Sequence, residues 1–98
     1  MAYTQLIKEW AIARELDKQD AKKQVIKLAE EHGELAGALL RGDMAEVKDA
    51  IGDMYVVLTI LCMQLDLDIE TCIQEAYEVI KDRTGKTVNG VFIKQEDL

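Results

Sequence analysis

Carboxylates recur at three- and four-residue intervals in two stretches of the chain, Glu30-Glu31-His32-Gly33-Glu34 and Asp49-Ala50-Ile51-Gly52-Asp53, with Glu46 just ahead of the second. Both stretches lie inside segments whose apolar residues repeat with helical period. Residues three and four apart share a helix face, so each segment folds with a stripe of negative charge along one side. Like charges at that spacing weaken a helix slightly. Gly33, Gly37 and Gly52 lie close by, and a glycine inside a helix costs about 0.5–1 kcal/mol relative to alanine. Two acidic stripes on successive helices point to a cation between them. A donor set made only of oxygen suits a hard ion, Mg²⁺ or Mn²⁺. Either stripe taken singly also fits an ordinary solvated face.

The rest of the chain frames these stripes with helices. It has 98 residues and no proline, which predicts one all-α domain over residues 1–98. Residues 3–16 carry Leu6, Ile7, Trp10 and Ala13 on one face. Asp17-Lys18-Gln19-Asp20 interrupts the pattern, and Asp20 is placed to cap a second helix over residues 21–41. Val25, Leu28, His32, Leu35 and Leu39 line its apolar side, with Glu31 at the margin and Glu34 nearly opposite. Gly42 follows as a stop. Asp43 and Glu46 form a capping box for the third helix, whose core side is Val47, Ile51, Met54, Leu58, Leu61 and Leu65. Val56, Ile60 and Met63 make its later half apolar all round, and such a helix must be buried all round. A chain this short has little capacity for that, which predicts a homodimer or homotetramer joined through apolar helix faces. Asp68 caps a fourth helix over residues 69–83, with Ile69, Ile73, Ala76, Tyr77 and Ile80 inward. Residues 85–98 lose the helical period and read as a short irregular tail. In it Asn89-Gly90 marks a turn and residues 91–93 an extended segment.

The formal net charge of −7 makes nucleic acid and anionic membranes poor partners. A phosphate ligand then requires a metal to carry the positive charge. The longest apolar run, residues 54–63, is too short to span a bilayer. Met1-Ala2-Tyr3-Thr4 lacks the pattern of a signal peptide. Cys62 and Cys72 make no disulfide framework, and reduced thiols in a cytoplasmic protein are expected. No HExxH, phosphate-binding glycine loop or Gly-x-Ser-x-Gly elbow occurs. His32 has Ala29 three residues before it, not the glutamate of a di-iron Glu-x-x-His motif, so it reads as a core or interface histidine. Lys27, one turn before Glu31, is an ion-pair partner or a phosphate contact. Trp10 is core or a platform for a base.

Glu30-Glu31-x-x-Glu34, followed on the next helix by Gly52-Asp53 and the apolar run Met54-Tyr55-Val56-Val57-Leu58, resembles the MazG-like nucleoside triphosphate pyrophosphohydrolases. These are all-α enzymes with a Glu-Glu-x-x-Glu motif and a downstream Glu-x-x-Asp motif. The resemblance runs from the second helix through Lys81-Asp82-Arg83 to Lys94. It departs at Ala50, where the family has glutamate, and Asp49 is the nearest replacement. The resemblance implies hydrolysis of a (d)NTP to (d)NMP and pyrophosphate. It implies Mg²⁺ held by Glu31, Glu34 and Asp53 with Asp49, and Glu30 beside them as a second-layer group or one that orients water. It also makes Lys81, Arg83, Lys86 and Lys94 phosphate contacts; Trp10 and Lys27 are substrate-binding candidates from their own positions, not from the resemblance. Two other readings stay open: a non-catalytic acidic interaction module, and a related hydrolase acting on another phosphoanhydride.

Overall fold

A computed structural model describes residues 2–98. It is mostly helical: α1 (Ala2–Ala13), a 3-10 turn (Leu16–Lys18), α2 (Ala21–Arg41), α3 (Met44–Gln64), α4 (Ile69–Ile80), then strands β1 (Gly85–Val88) and β2 (Val91–Lys94). The boundaries follow from the capping residues. Asp20 accepts the Lys22 N–H at 2.9 Å, Asp43 the Glu46 N–H at 3.1 Å, and Asp68 the Thr71 N–H at 3.3 Å. Each side chain satisfies a donor that the first helical turn leaves unpaired. Gly42 takes the left-handed conformation (φ 71°), and the Gly42 and Asp43 N–H groups bond back to the Leu39 and Ala38 carbonyls. This closes α2 and turns the chain directly into α3. The first helix stops at Ala13, short of the expected 16, because Glu15 turns left-handed (φ 57°) and the chain tightens into the 3-10 turn. The fourth ends at Ile80, not 83.

The tail is more regular than its composition implied. Residues 85–94 form an antiparallel hairpin with Val88 opposite Val91 and Gly85 opposite Lys94. Asn89 (φ 51°) and Gly90 (φ 81°) supply the two left-handed residues of the tight turn, as Asn-Gly pairs do. Strand β1 escaped the sequence reading because Lys86-Thr87 shows no apolar alternation. Gly85 is required sterically, since a Cβ there would collide with the Ile93 carbonyl oxygen and the Phe92 ring.

Helices α2 and α3 form the main packed pair. Ala38 (0% exposed) and Ala50 (4%) lie in the seam, and such small side chains let the two backbones approach. Val47, Val57 and Ile60 are buried along α3, and Gln24 donates to the Val57 carbonyl at 3.3 Å. The contact face is therefore rotated from the one that apolar periodicity selected. Val25, His32 and Leu39 on α2, and Ile51, Leu58 and Leu65 on α3, are exposed rather than core. Ile60, whose burial was expected to need a second subunit, is buried within the single chain. Helix α1 and the 3-10 turn also pack against α3. There Thr4 and Ala11 are buried, and Gln64 donates to the Leu16 carbonyl at 2.8 Å.

Helix α4 is tied on at its N-terminal end. Ile69 is buried. Lys8 pairs with Asp68 at 2.8 Å, and Thr4 Oγ1 donates to Glu70 at 3.1 Å while accepting from Tyr55 at 2.5 Å. Beyond that, Ile73, Tyr77 and Ile80, expected to face inward, are about half exposed. The radius of gyration, 16.2 Å, exceeds the ~13 Å of a compact chain this size. Cys62 is half-buried and Cys72 exposed, and both are free. Burial and the neighbouring Cys72 push the Cys62 thiol up. Among the described residues no helix is long and apolar enough to cross a membrane.

Candidate active site

Because α3 runs back along α2, Glu31 and Glu34 come level with Asp53 and Asp49. Glu31 is not at the margin of an apolar face but inside the seam, only 7% exposed. Its Oε1 lies 3.9 Å from the Lys27 ammonium. Its Oε2 is buried without a hydrogen-bond partner, and a buried carboxylate oxygen left unmatched is costly. Burial pushes the Glu31 carboxyl above its usual range, and the negative charges of Glu34 and Asp53 push it further; Lys27 opposes them weakly.

Glu34 and Asp49 line a cleft of about 400 Å³ between the helices, with Gly33, Gly37, Arg41, Glu46 and Ala50. The departure at position 50 now has a physical setting. Ala50 sits at the closed floor of the seam, 4% exposed, while Asp49 reaches the cleft. Glu30 is exposed on α2. Asp53 borders a different groove, about 430 Å³, formed with Tyr3, Leu6, Ile7, Trp10 and Val56. Trp10 is 47% exposed there rather than core, and the Arg14 guanidinium sits 4.2 Å from its ring centroid.

The basic candidates lie apart from this cleft's lining. Lys81 pairs with Glu78 at 2.6 Å. Arg83 borders a pocket with Ile80, Val91 and Phe92, and Lys86 and Lys94 sit on the exposed hairpin. The cation that does line the cleft is Arg41, which sequence reasoning passed over. The signal was present: Arg41 follows Glu34 by seven residues, two turns on the same face.

Among the described residues no three Asp, Glu, His or Cys side chains converge closely enough to hold a metal ion. The donor chemistry nonetheless fits a hard cation. It consists of oxygens alone, one of them buried and unmatched, beside two further carboxylates on facing helices.

The chain matches the family model described as phosphoribosyl-ATP pyrophosphohydrolase over residues 5–79. It is 41% identical over 63 residues to an uncharacterized 18.2 kDa protein in the rep-hol intergenic region of Haemophilus phage HP1, a match covering 63% of this chain and 39% of the phage protein. The chain thus spans about two-fifths of that relative's length. No solved structure matches it. The family match takes in well over half of the chain, including both acidic stripes and the seam between them, and the chain therefore belongs to the phosphoribosyl-ATP pyrophosphohydrolase family, within the MazG-like all-α superfamily.

Proposed function

We propose that the chain is a metal-dependent nucleotide pyrophosphohydrolase that converts a (d)NTP to (d)NMP and pyrophosphate. The observation that carries this reading is the buried, unmatched oxygen of Glu31 between the like charges of Glu34 and Asp53. A fold gains nothing from such a carboxylate in a seam unless a cation completes it. Glu31, Glu34, Asp49 and Asp53 would hold Mg²⁺, with Mn²⁺ as substitute. A bound ion would offset the triphosphate charge, polarise the phosphoryl centre and make water more acidic. Glu30, exposed beside Glu31 on α2, orients the attacking water and accepts its proton. Lys27 restrains Glu31. The groove beside Asp53 takes the nucleoside against Trp10.

The family's description favours a second substrate, phosphoribosyl-ATP, which would enter the same groove. Pyrophosphate release from a panel of NTPs, dNTPs and phosphoribosyl-ATP, with and without Mg²⁺, separates the substrates. Mg²⁺ at about 100 times its dissociation constant should also stabilise the protein by about 2.7 kcal/mol. If nothing in the panel turns over and Mg²⁺ leaves the melting temperature unchanged, the non-catalytic interaction module is the better account.

The reading includes a cytoplasmic homodimer or homotetramer. Val25 and Leu39 on α2, with Ile51, Leu58 and Leu65 on α3, leave apolar surface on the two-helix layer. A second copy would cover it, and Lys81, Arg83, Lys86 and Lys94 would then reach phosphate from the partner. Leu39→Asp changes a residue 60% exposed in the single chain. It is expected to leave a folded monomer, seen as a lower mass in sedimentation equilibrium.

A further inference from the structure

Three features succeed one another along α3, the first where it meets α1 and the other two where it meets α2. The groove of Trp10 and Val56 opens at Asp53. Glu34 and Asp49 come next, in the acidic cleft, and Arg41 with Glu46 stands at its end. From Asp53 to Glu46 is seven residues of helix, about 10 Å. That is the scale of a triphosphate chain extending from a nucleoside.

Arg41 lines the cleft among three carboxylates, Glu34, Glu46 and Asp49. Its Nη2 pairs with Glu46 Oε2 at 2.7 Å. Its Nη1 lies over Gly37, where a Cβ would come within 3.1 Å. The guanidinium is thus folded back along α2 toward Glu34, over a residue with no side chain to displace it. Both partners of the ion pair are more than half exposed, so the pair itself adds little to stability.

Resting on the pyrophosphohydrolase reading, we propose that Arg41 binds the terminal phosphates, the part that leaves as pyrophosphate, and so fixes the direction in which the substrate lies along the seam. Arginine suits this role because its planar fork meets two phosphate oxygens at once. Glu46 occupies the fork until phosphate replaces it.

The test is calorimetric titration of inorganic pyrophosphate, with Mg²⁺ present, into the wild-type protein, Arg41→Ala, Arg41→Lys and Glu46→Gln. Circular dichroism checks each fold, and the nucleotide panel is run alongside. Arg41→Ala should weaken pyrophosphate binding at least about tenfold, and Arg41→Lys should recover part of the loss. Glu46→Gln frees the guanidinium and should bind as tightly as wild type or tighter. The assignment is overturned if wild type binds no pyrophosphate or if Arg41→Ala binds as well as wild type. It is also overturned if Glu46→Gln loses as much as Arg41→Ala, since both then act only through the ion pair. Turnover with Arg41-independent pyrophosphate binding defeats this assignment alone. Arg41-dependent binding in a protein that hydrolyses nothing defeats the pyrophosphohydrolase reading and leaves the anion site standing.

Discussion

Asp53→Asn is expected to lower kcat/KM for pyrophosphate release by at least about 100-fold while the helical circular dichroism spectrum and the melting temperature stay near wild type. Loss of a group that only supports a metal ligand costs about 10–100-fold, so loss of a ligand itself should cost no less. The fold should tolerate the change because Asp53 is only half-buried and borders the open groove beside Trp10. Glu34→Gln should behave alike, since Glu34 is exposed and contributes charge rather than packing. Activity that survives either substitution removes that residue from the ligand set. Unfolding of either variant points to a structural role in its place.

Glu31→Gln is expected to move stability and activity in opposite directions. Burial and two neighbouring carboxylates raise the Glu31 carboxyl above its usual value of about 4.5. A carboxyl whose folded value is raised stabilises the fold while protonated, and that contribution fades as pH rises through the folded value. At neutral pH the ionised side chain therefore works against folding. Glutamine removes the charge at almost the same volume. The variant should gain about 1 kcal/mol at pH 7, a rise of about 4–8 °C for a chain this size. The gain should shrink on acidification, as the wild-type carboxyl takes up its proton. Turnover should fall as in Asp53→Asn, and Mg²⁺ should no longer raise the melting temperature. Thermal melts from pH 4 to pH 8, with and without Mg²⁺, measure all of this. A Glu31→Gln protein less stable than wild type at neutral pH would show that the carboxylate holds the seam together.

The sequence carried the helices well because their signals are local. Asp20, Asp43 and Asp68 each cap the helix that follows them, and Gly42 closes α2 in the left-handed conformation. Which face of each helix meets its neighbour was not local. Periodicity placed Val25, His32 and Leu39 in the core, but the seam runs one strip away, at Glu31 and Ala38. Two small residues and a buried acid define that strip, and a hydrophobicity count ranks such residues low. Ile51, Leu58 and Leu65 misled for the same reason: they are apolar, yet the described residues leave each of them substantially exposed. For the candidate site, spacing brought out the two carboxylate stripes, Glu30, Glu31 and Glu34 on α2 and Glu46, Asp49 and Asp53 on α3, and the family resemblance narrowed them. Spacing alone did not reveal that Glu31 is buried while Glu34 is exposed. Arg41 was missed because a basic residue in the last turn of a helix already has a sufficient reason to be there, the helix dipole. Only the cleft shows its guanidinium lying over Gly37 toward the acids.

Anomalous diffraction from crystals grown with Mn²⁺ tests the two-helix carboxylate site most directly. The expected result is a manganese peak bridging α2 and α3, with oxygens of Glu31, Glu34 and Asp53 at about 2.1–2.2 Å, close to the octahedral distances of Mg²⁺. A map with no peak there, or with manganese held only by side chains elsewhere on the surface, would contradict the account.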